Sequence, residues 1–151
     1  MANWFECKIR YSKTAENGIA KNVTEPYLVD ALSFTEAEKR ITEEMKAYIS
    51  GEYEVTDIKR ARYNETFDNG ESAYWYKCKV LFITVDEKTG AEKKIAAQML
   101  VRAGDIHEAL KLLDEGMKGT LADYVIVTIQ ETAIMDVFYY APPATGEKEE
   151  Q

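Results

Sequence analysis

The chain has 151 residues, a formal net charge of −8, two cysteines and one histidine. A chain of this length typically buries about 68–70% of its unfolded surface, and a composition of 46% hydrophobic and 30% charged residues is that of a globular protein rather than a disordered or fibrous one. Two cysteines exclude a disulfide scaffold, and a single imidazole with no Cys-x-x-Cys spacing excludes the usual zinc ligand sets, so neither a metal nor a cofactor is expected.

The opening MANWFECKIR has no apolar run of signal-peptide length, and nowhere does an apolar stretch approach the ~20 residues that span a bilayer. A cytoplasmic protein without membrane association is the expectation. A first strand over about 3–13 and a second over 19–31 flank Glu16-Asn17-Gly18, and Asn-Gly readily adopts the positive φ of tight hairpins. A helix then opens at Ser33 with Glu36 three residues on, a capping box, and carries Phe34, Ala37, Ile41, Met45 and Ile49 on one face. A β-rich run at 53–67 ends in Asp68-Asn69-Gly70, a turn signal expected to form a hairpin with the strand at 74–85. A strand at 91–102 follows, then a second helix from Asp105 with Ile106, Ala109, Leu110, Leu113 and Met117 on one face, and a closing strand that reaches Phe138. Residues 141–151, APPATGEKEEQ, read as a flexible acidic tail.

The second set of elements repeats the first. WFECKIRY (4–11) aligns with WYKCKVLF (75–82), LVDALSFTEAEKRITEEMK (28–46) with LVRAGDIHEALKLLDEGMK (100–118), and Tyr53, Ile58 and Phe67 with Tyr124, Ile129 and Phe138. The offset changes by one residue in a loop and then returns. A tandem β-β-α-β unit, over 3–67 and 74–138, predicts a single α+β domain spanning 1–140. It would have six mainly antiparallel strands, two amphipathic helices and pseudo-twofold symmetry.

The acidic excess lies mostly off the strands, four of which carry net positive charge. Because successive strand side chains point to opposite faces, Phe5, Cys7, Ile9 and Tyr11 share one face and Trp4, Glu6, Lys8 and Arg10 the other. Likewise Tyr76, Cys78, Val80 and Phe82 oppose Trp75, Lys77, Lys79 and Leu81. An exposed indole flanked by cations is a stacking platform for bases, with lysines tracking the phosphates. The expected site for single-stranded DNA or RNA is therefore Trp4, Lys8, Arg10, Lys59, Arg60, Arg62, Trp75, Lys77 and Lys79. The competing reading is a protein interaction or assembly module, a homodimer or partner inhibitor using the same face, in which the Trp faces form the interface and the acidic helices face solvent; the plainest alternative is that the aromatics pack against a partner sheet and the lysines guard an edge.

Other candidates are weaker. His107 reads as a surface residue in the first turn of the second helix, and Cys7 and Cys78 as buried reduced thiols. Glu36, Glu43, Glu44, Glu108, Asp114 and Glu115 fit caps and solvated helix faces. With no GxGxxG, P-loop, GxSxG or HExxH pattern, a non-enzymatic protein is expected. Glu147, Lys148, Glu149 and Glu150 resemble the acidic tails of single-stranded DNA-binding proteins, although here Gln151 stands where such tails finish in an apolar anchor.

The segments WFECKIRY, VTEPYLVDALSFTEAEKRI (23–41) and YEVTDIKRARY (53–63) resemble an uncharacterised domain family of about 150 residues from Bacteroidota and their phages. The resemblance covers nearly the whole chain. It implies a bacterial or phage origin and lends no catalytic residues; a phage setting points equally to replication accessories and to small inhibitory proteins.

Overall fold

A computed structural model describes residues 3–140 and shows an α+β protein with two helices and two mixed four-stranded sheets, eight strands in all among the described residues. The chain forms two compact units. The first runs to Arg62 and resumes at Ile134; the second is Tyr63–Ala133.

In the first unit, β1 (Trp4–Thr14) and β2 (Ala20–Asp30) form the expected antiparallel hairpin, with Gly18 at φ +82° and the Asn17 side-chain oxygen accepting from the Ile19 amide. Helix α1 (Phe34–Tyr48) crosses over to β3 (Tyr53–Ala61), which lies antiparallel on the other side of β1. Ser33 caps α1 by accepting from the Glu36 amide at 3.1 Å, and Glu36 reaches back to accept from the Leu32 amide at 2.7 Å. The Ser33 oxygen satisfies an amide that the first turn leaves without a helical partner, and the Glu36 carboxylate ties down the residue before the cap. Ala37, Ile41 and Met45 of α1 pack on Phe5, Cys7, Ile9, Tyr27 and Val29, which makes the expected helix-facing side of the sheet.

The second unit has the same succession. Here β5 (Tyr74–Val85) pairs with β6 (Glu92–Ala103), α2 (Ile106–Gly116) follows, and β7 (Asp123–Glu131) pairs on the far side of β5. Asp105 caps α2 by accepting from the Glu108 amide at 2.8 Å, and Glu108 accepts from the Gly104 amide at 2.6 Å. Ala109 and Leu113 pack on Tyr76, Cys78, Val80, Met99 and Val101. Each buried helix stripe is narrower than periodicity alone implies, because Phe34, Ile106 and Leu110 are exposed.

Two expectations need correction. The count is eight strands, not six, because the long closing strand of each half breaks. After β3 the chain leaves its sheet, and β4 (Glu65–Phe67) lies parallel to β6 in the second unit; after β7, β8 (Val137–Phe138) lies parallel to β2 in the first. Each half thus ends by completing the sheet of the other unit. The second correction concerns Asp68-Asn69-Gly70, which turns, with Gly70 at φ +77°, but does not form a hairpin. The strand order is β4-β6-β5-β7, so β6 separates β4 from β5. Phe67 of β4 packs so closely on α2 that a Cβ on Gly116 would stand 2.6 Å from its ring, which is why the last turn of that helix carries glycine.

Candidate binding face of the second unit

The nine residues expected to bind nucleic acid are divided between the two units. Trp4, Lys8, Arg10, Lys59, Arg60 and Arg62 belong to the first; Trp75, Lys77 and Lys79 belong to the second. The alternation is as expected, with both tryptophans on the faces turned away from the helices. Their exposure is not: Trp4 is 4% and Trp75 1% exposed, so neither indole offers a surface to a base. Leu28 and Leu100, directly across from Glu6 and Lys77, are also fully buried. This end of each sheet is therefore buried on both faces. Tyr139 meets Trp4 edge-on at 5.3 Å. Over Trp75 lies the Arg102 guanidinium at 5.4 Å, itself tied to Asp68 at 3.2 Å and to the Ser72 carbonyl at 2.5 Å. The signal was present in the uninterrupted apolar runs of β2 and β6, because two-sided burial replaces alternation with continuous apolar sequence.

Cross-strand pairing removes much of the basic character of the first unit's outward face. Arg10 is ion-paired with Glu54, Lys59 lies 3.8 Å from Glu6, and Lys8 stands in register with Asp57. Arg60 is not on this face, for its guanidinium sits over the Phe5 ring at 5.3 Å, on the helix side. Arg62 lies just past the end of β3 and is exposed. In the second unit, Lys77 and Lys79 face neutral neighbours, Gln130 and Leu100 beside Lys77, Thr128 and Gln98 beside Lys79. They make no ion pair among the described residues.

At equivalent positions the two sheets differ. Each has a bulge at the same place, between Lys8 and Ile9 in β1 and between Lys79 and Val80 in β5. Beyond it the first unit presents Arg10, Ser12, Thr14, Glu54 and Thr56, and the corresponding positions of the second are Leu81, Ile83, Val85, Val125 and Val127. Thr24 likewise gives way to Ala96. Leu81 stands between Ala96 and Val125 in register, and Val85, Val125 and Val127 are 60%, 48% and 45% exposed. The first unit thus ends its outward face in polar and paired groups, and the second ends it in an aliphatic patch open to solvent.

The match to a family model covers residues 3–140, all of the described residues, and that model is described as a domain of unknown function, DUF4494. The chain belongs to the DUF4494 family. No curated protein and no solved structure matches it.

The two thiols of this DUF4494 chain belong to its cores. Both thiols are fully buried, Cys7 in the core beneath α1 and Cys78 in the core beneath α2, and burial pushes their pKa up to about 12 and about 11. A thiol in that state is protonated at neutral pH and is neither a nucleophile nor a metal ligand. His107 is exposed on the first turn of α2. Among the described residues no group of three or more His, Cys, Asp or Glu is placed to hold a metal ion, and no helix is long and apolar enough to cross a membrane.

Proposed function

We propose that this chain is a non-enzymatic binding module that engages a protein surface through the outward sheet face of its second unit, around Leu81, Ile83, Val85, Val125 and Val127. On this reading the two units are diverged copies of one, and only the second keeps a working face. The observation that carries it is the replacement of five polar positions by aliphatic ones on an exposed, otherwise solvated strand face. Contiguous exposed aliphatic residues rimmed by polar ones are the usual mark of an interaction site. Folding supplies no reason for them, because the first unit builds the same sheet without them. A photo-crosslinking amino acid placed at Val125, and separately at the corresponding Glu54, tests the reading in cells expressing the full chain. Discrete covalent adducts are expected from position 125 and not from position 54. Equal labelling at the two positions, or none at either, refutes it.

A second reading, single-stranded nucleic acid on the same unit, draws support from Lys77 and Lys79, which have neutral neighbours and no ion-pair partner among the described residues. On this reading binding is electrostatic, without base stacking on tryptophan. Anisotropy of a labelled oligonucleotide is then expected to fall with salt, and K77Q/K79Q to reduce the logarithmic salt slope by about 1.4, roughly 0.7 per phosphate contact. A salt-independent signal, or an unchanged slope in the double variant, removes it.

A further inference from the structure

The patch on the second unit is bounded in a way that points to its occupant. Ile83, near the end of β5, has Lys94 of β6 on one side and Asp123 of β7 on the other, each directly in register. Two strand spacings put these charges roughly 9–10 Å apart, too far to pair with each other. Neither makes an ion pair among the described residues. The neighbouring row, Ala96, Leu81 and Val125, is wholly apolar. In the first unit the row corresponding to this one is Thr24, Arg10 and Glu54, where the two charges are satisfied within the sheet.

A row with a cation at one end, an acid at the other and an aliphatic residue between them is complementary to itself under a two-fold axis. Two copies laid face to face about an axis along β5 place Ile83 against Ile83 and Leu81 against Leu81. The same operation sets Lys94 of each copy over Asp123 of the other, so one contact made twice satisfies both charges of this row, as an isologous interface requires, while Lys79 of each copy lies opposite its counterpart at the edge of the patch and turns its ammonium to solvent. An unrelated partner would have to supply an acid and a cation at the matching spacing. We infer that the occupant of this face is a second copy of the chain, an inference that rests on the binding reading above and names its partner. The contact rests on a handful of aliphatic side chains and one charge pair made twice, so a concentration-dependent dimer is expected.

Sedimentation velocity on the full chain over a concentration series tests this. The wild-type chain is expected to pass from monomer to dimer. L81R/V125E, which installs the residues of the first unit and so brings a cross-strand ion pair of its own, is expected to remain folded by circular dichroism and to stay monomeric. K94D and D123K each place like charges opposite one another and are expected to weaken association about tenfold; combined, they restore the pairing with reversed sign and are expected to recover the wild-type dimer. A chain that is monomeric throughout, or a dimer that survives L81R/V125E, overturns the inference, and so does failure of the combined swap to rescue the single variants. Crosslinks from position 125 to a different protein, with a monomeric chain, overturn the dimer and leave the binding reading standing. No crosslink and no dimer overturns both.

Discussion

Trp75→Ala is expected to destabilise the chain by about 3–5 kcal/mol, the range for removing a large aromatic from a packed interior. Trp75 is the largest of the fully buried side chains, and its removal leaves a cavity beneath Arg102. The surroundings are poorly placed to collapse into that space. Arg102 is tethered to Asp68 and Ser72, and the Trp75 carbonyl accepts from both the amide and the hydroxyl of Thr132, at 2.9 and 2.8 Å. Urea denaturation of the wild-type and variant chains measures the loss directly. Trp75→Phe, which keeps most of the volume, should cost a fraction of it. A loss below about 0.5 kcal/mol in Trp75→Ala, the range of surface changes, would mean that the indole is open in solution and would return it to the candidate stacking platforms. The wild-type chain should accordingly show tryptophan emission shielded from a soluble quencher.

What could be read from the sequence divides along physical lines. Local chemistry was legible: the caps at Ser33 and Asp105, the Asn17-Gly18 hairpin, and the faces of β1 and β5, because each depends on residues a few positions apart. Exposure was not legible from alternation alone. Which face meets a helix follows from the period, but whether the other face meets water depends on distant groups, such as Tyr139 at Trp4 and Arg102 at Trp75. The exchange of β4 and β8 was hidden for the same reason. Pairings of three and two residues, made in parallel with remote strands, leave no periodic trace, and Phe67 and Phe138 looked like the ends of their own sheets. The aliphatic patch was visible in principle. Aligning the two halves for likeness paired Trp4 with Trp75 and Cys7 with Cys78, whereas the informative positions were those where the halves disagree, Arg10 against Leu81 and Glu54 against Val125. Likeness between halves reports the demands of the shared fold, and disagreement at exposed positions reports a demand placed on one half alone.

The buried thiols make a second large effect, in the response of stability to alkali. In the unfolded chain both ionise near their ordinary value of 9.0, while in the folded chain burial holds Cys7 up to about 12, with the charges of Glu6 and Asp57 adding to the effect, and Cys78 up to about 11. Below pH 9 the thiols are protonated in both states and their contribution is fully present. As pH rises above 9, the unfolded chain is stabilised by releasing protons that the folded chain retains, so stability falls until the folded thiols ionise in turn. At about 1.4 kcal/mol per pKa unit, the loss reaches about 4 kcal/mol for Cys7 and about 3 kcal/mol for Cys78. Together these are comparable to the whole stability of an ordinary domain, about 5–15 kcal/mol. Tyr27 and Tyr76 are displaced upward by burial and act in the same direction. A progressive loss of stability is therefore expected from about pH 9 to about pH 12, measured as the urea midpoint at successive pH values. The C7A/C78A variant separates this cause from general alkaline damage. It should be less stable than the wild-type chain at neutral pH, because two core side chains are trimmed, yet lose stability less steeply above pH 9. Parallel pH profiles for the two proteins would show that the thiols are accessible in the folded state, and only then would thiol chemistry at neutral pH return as a function for this chain.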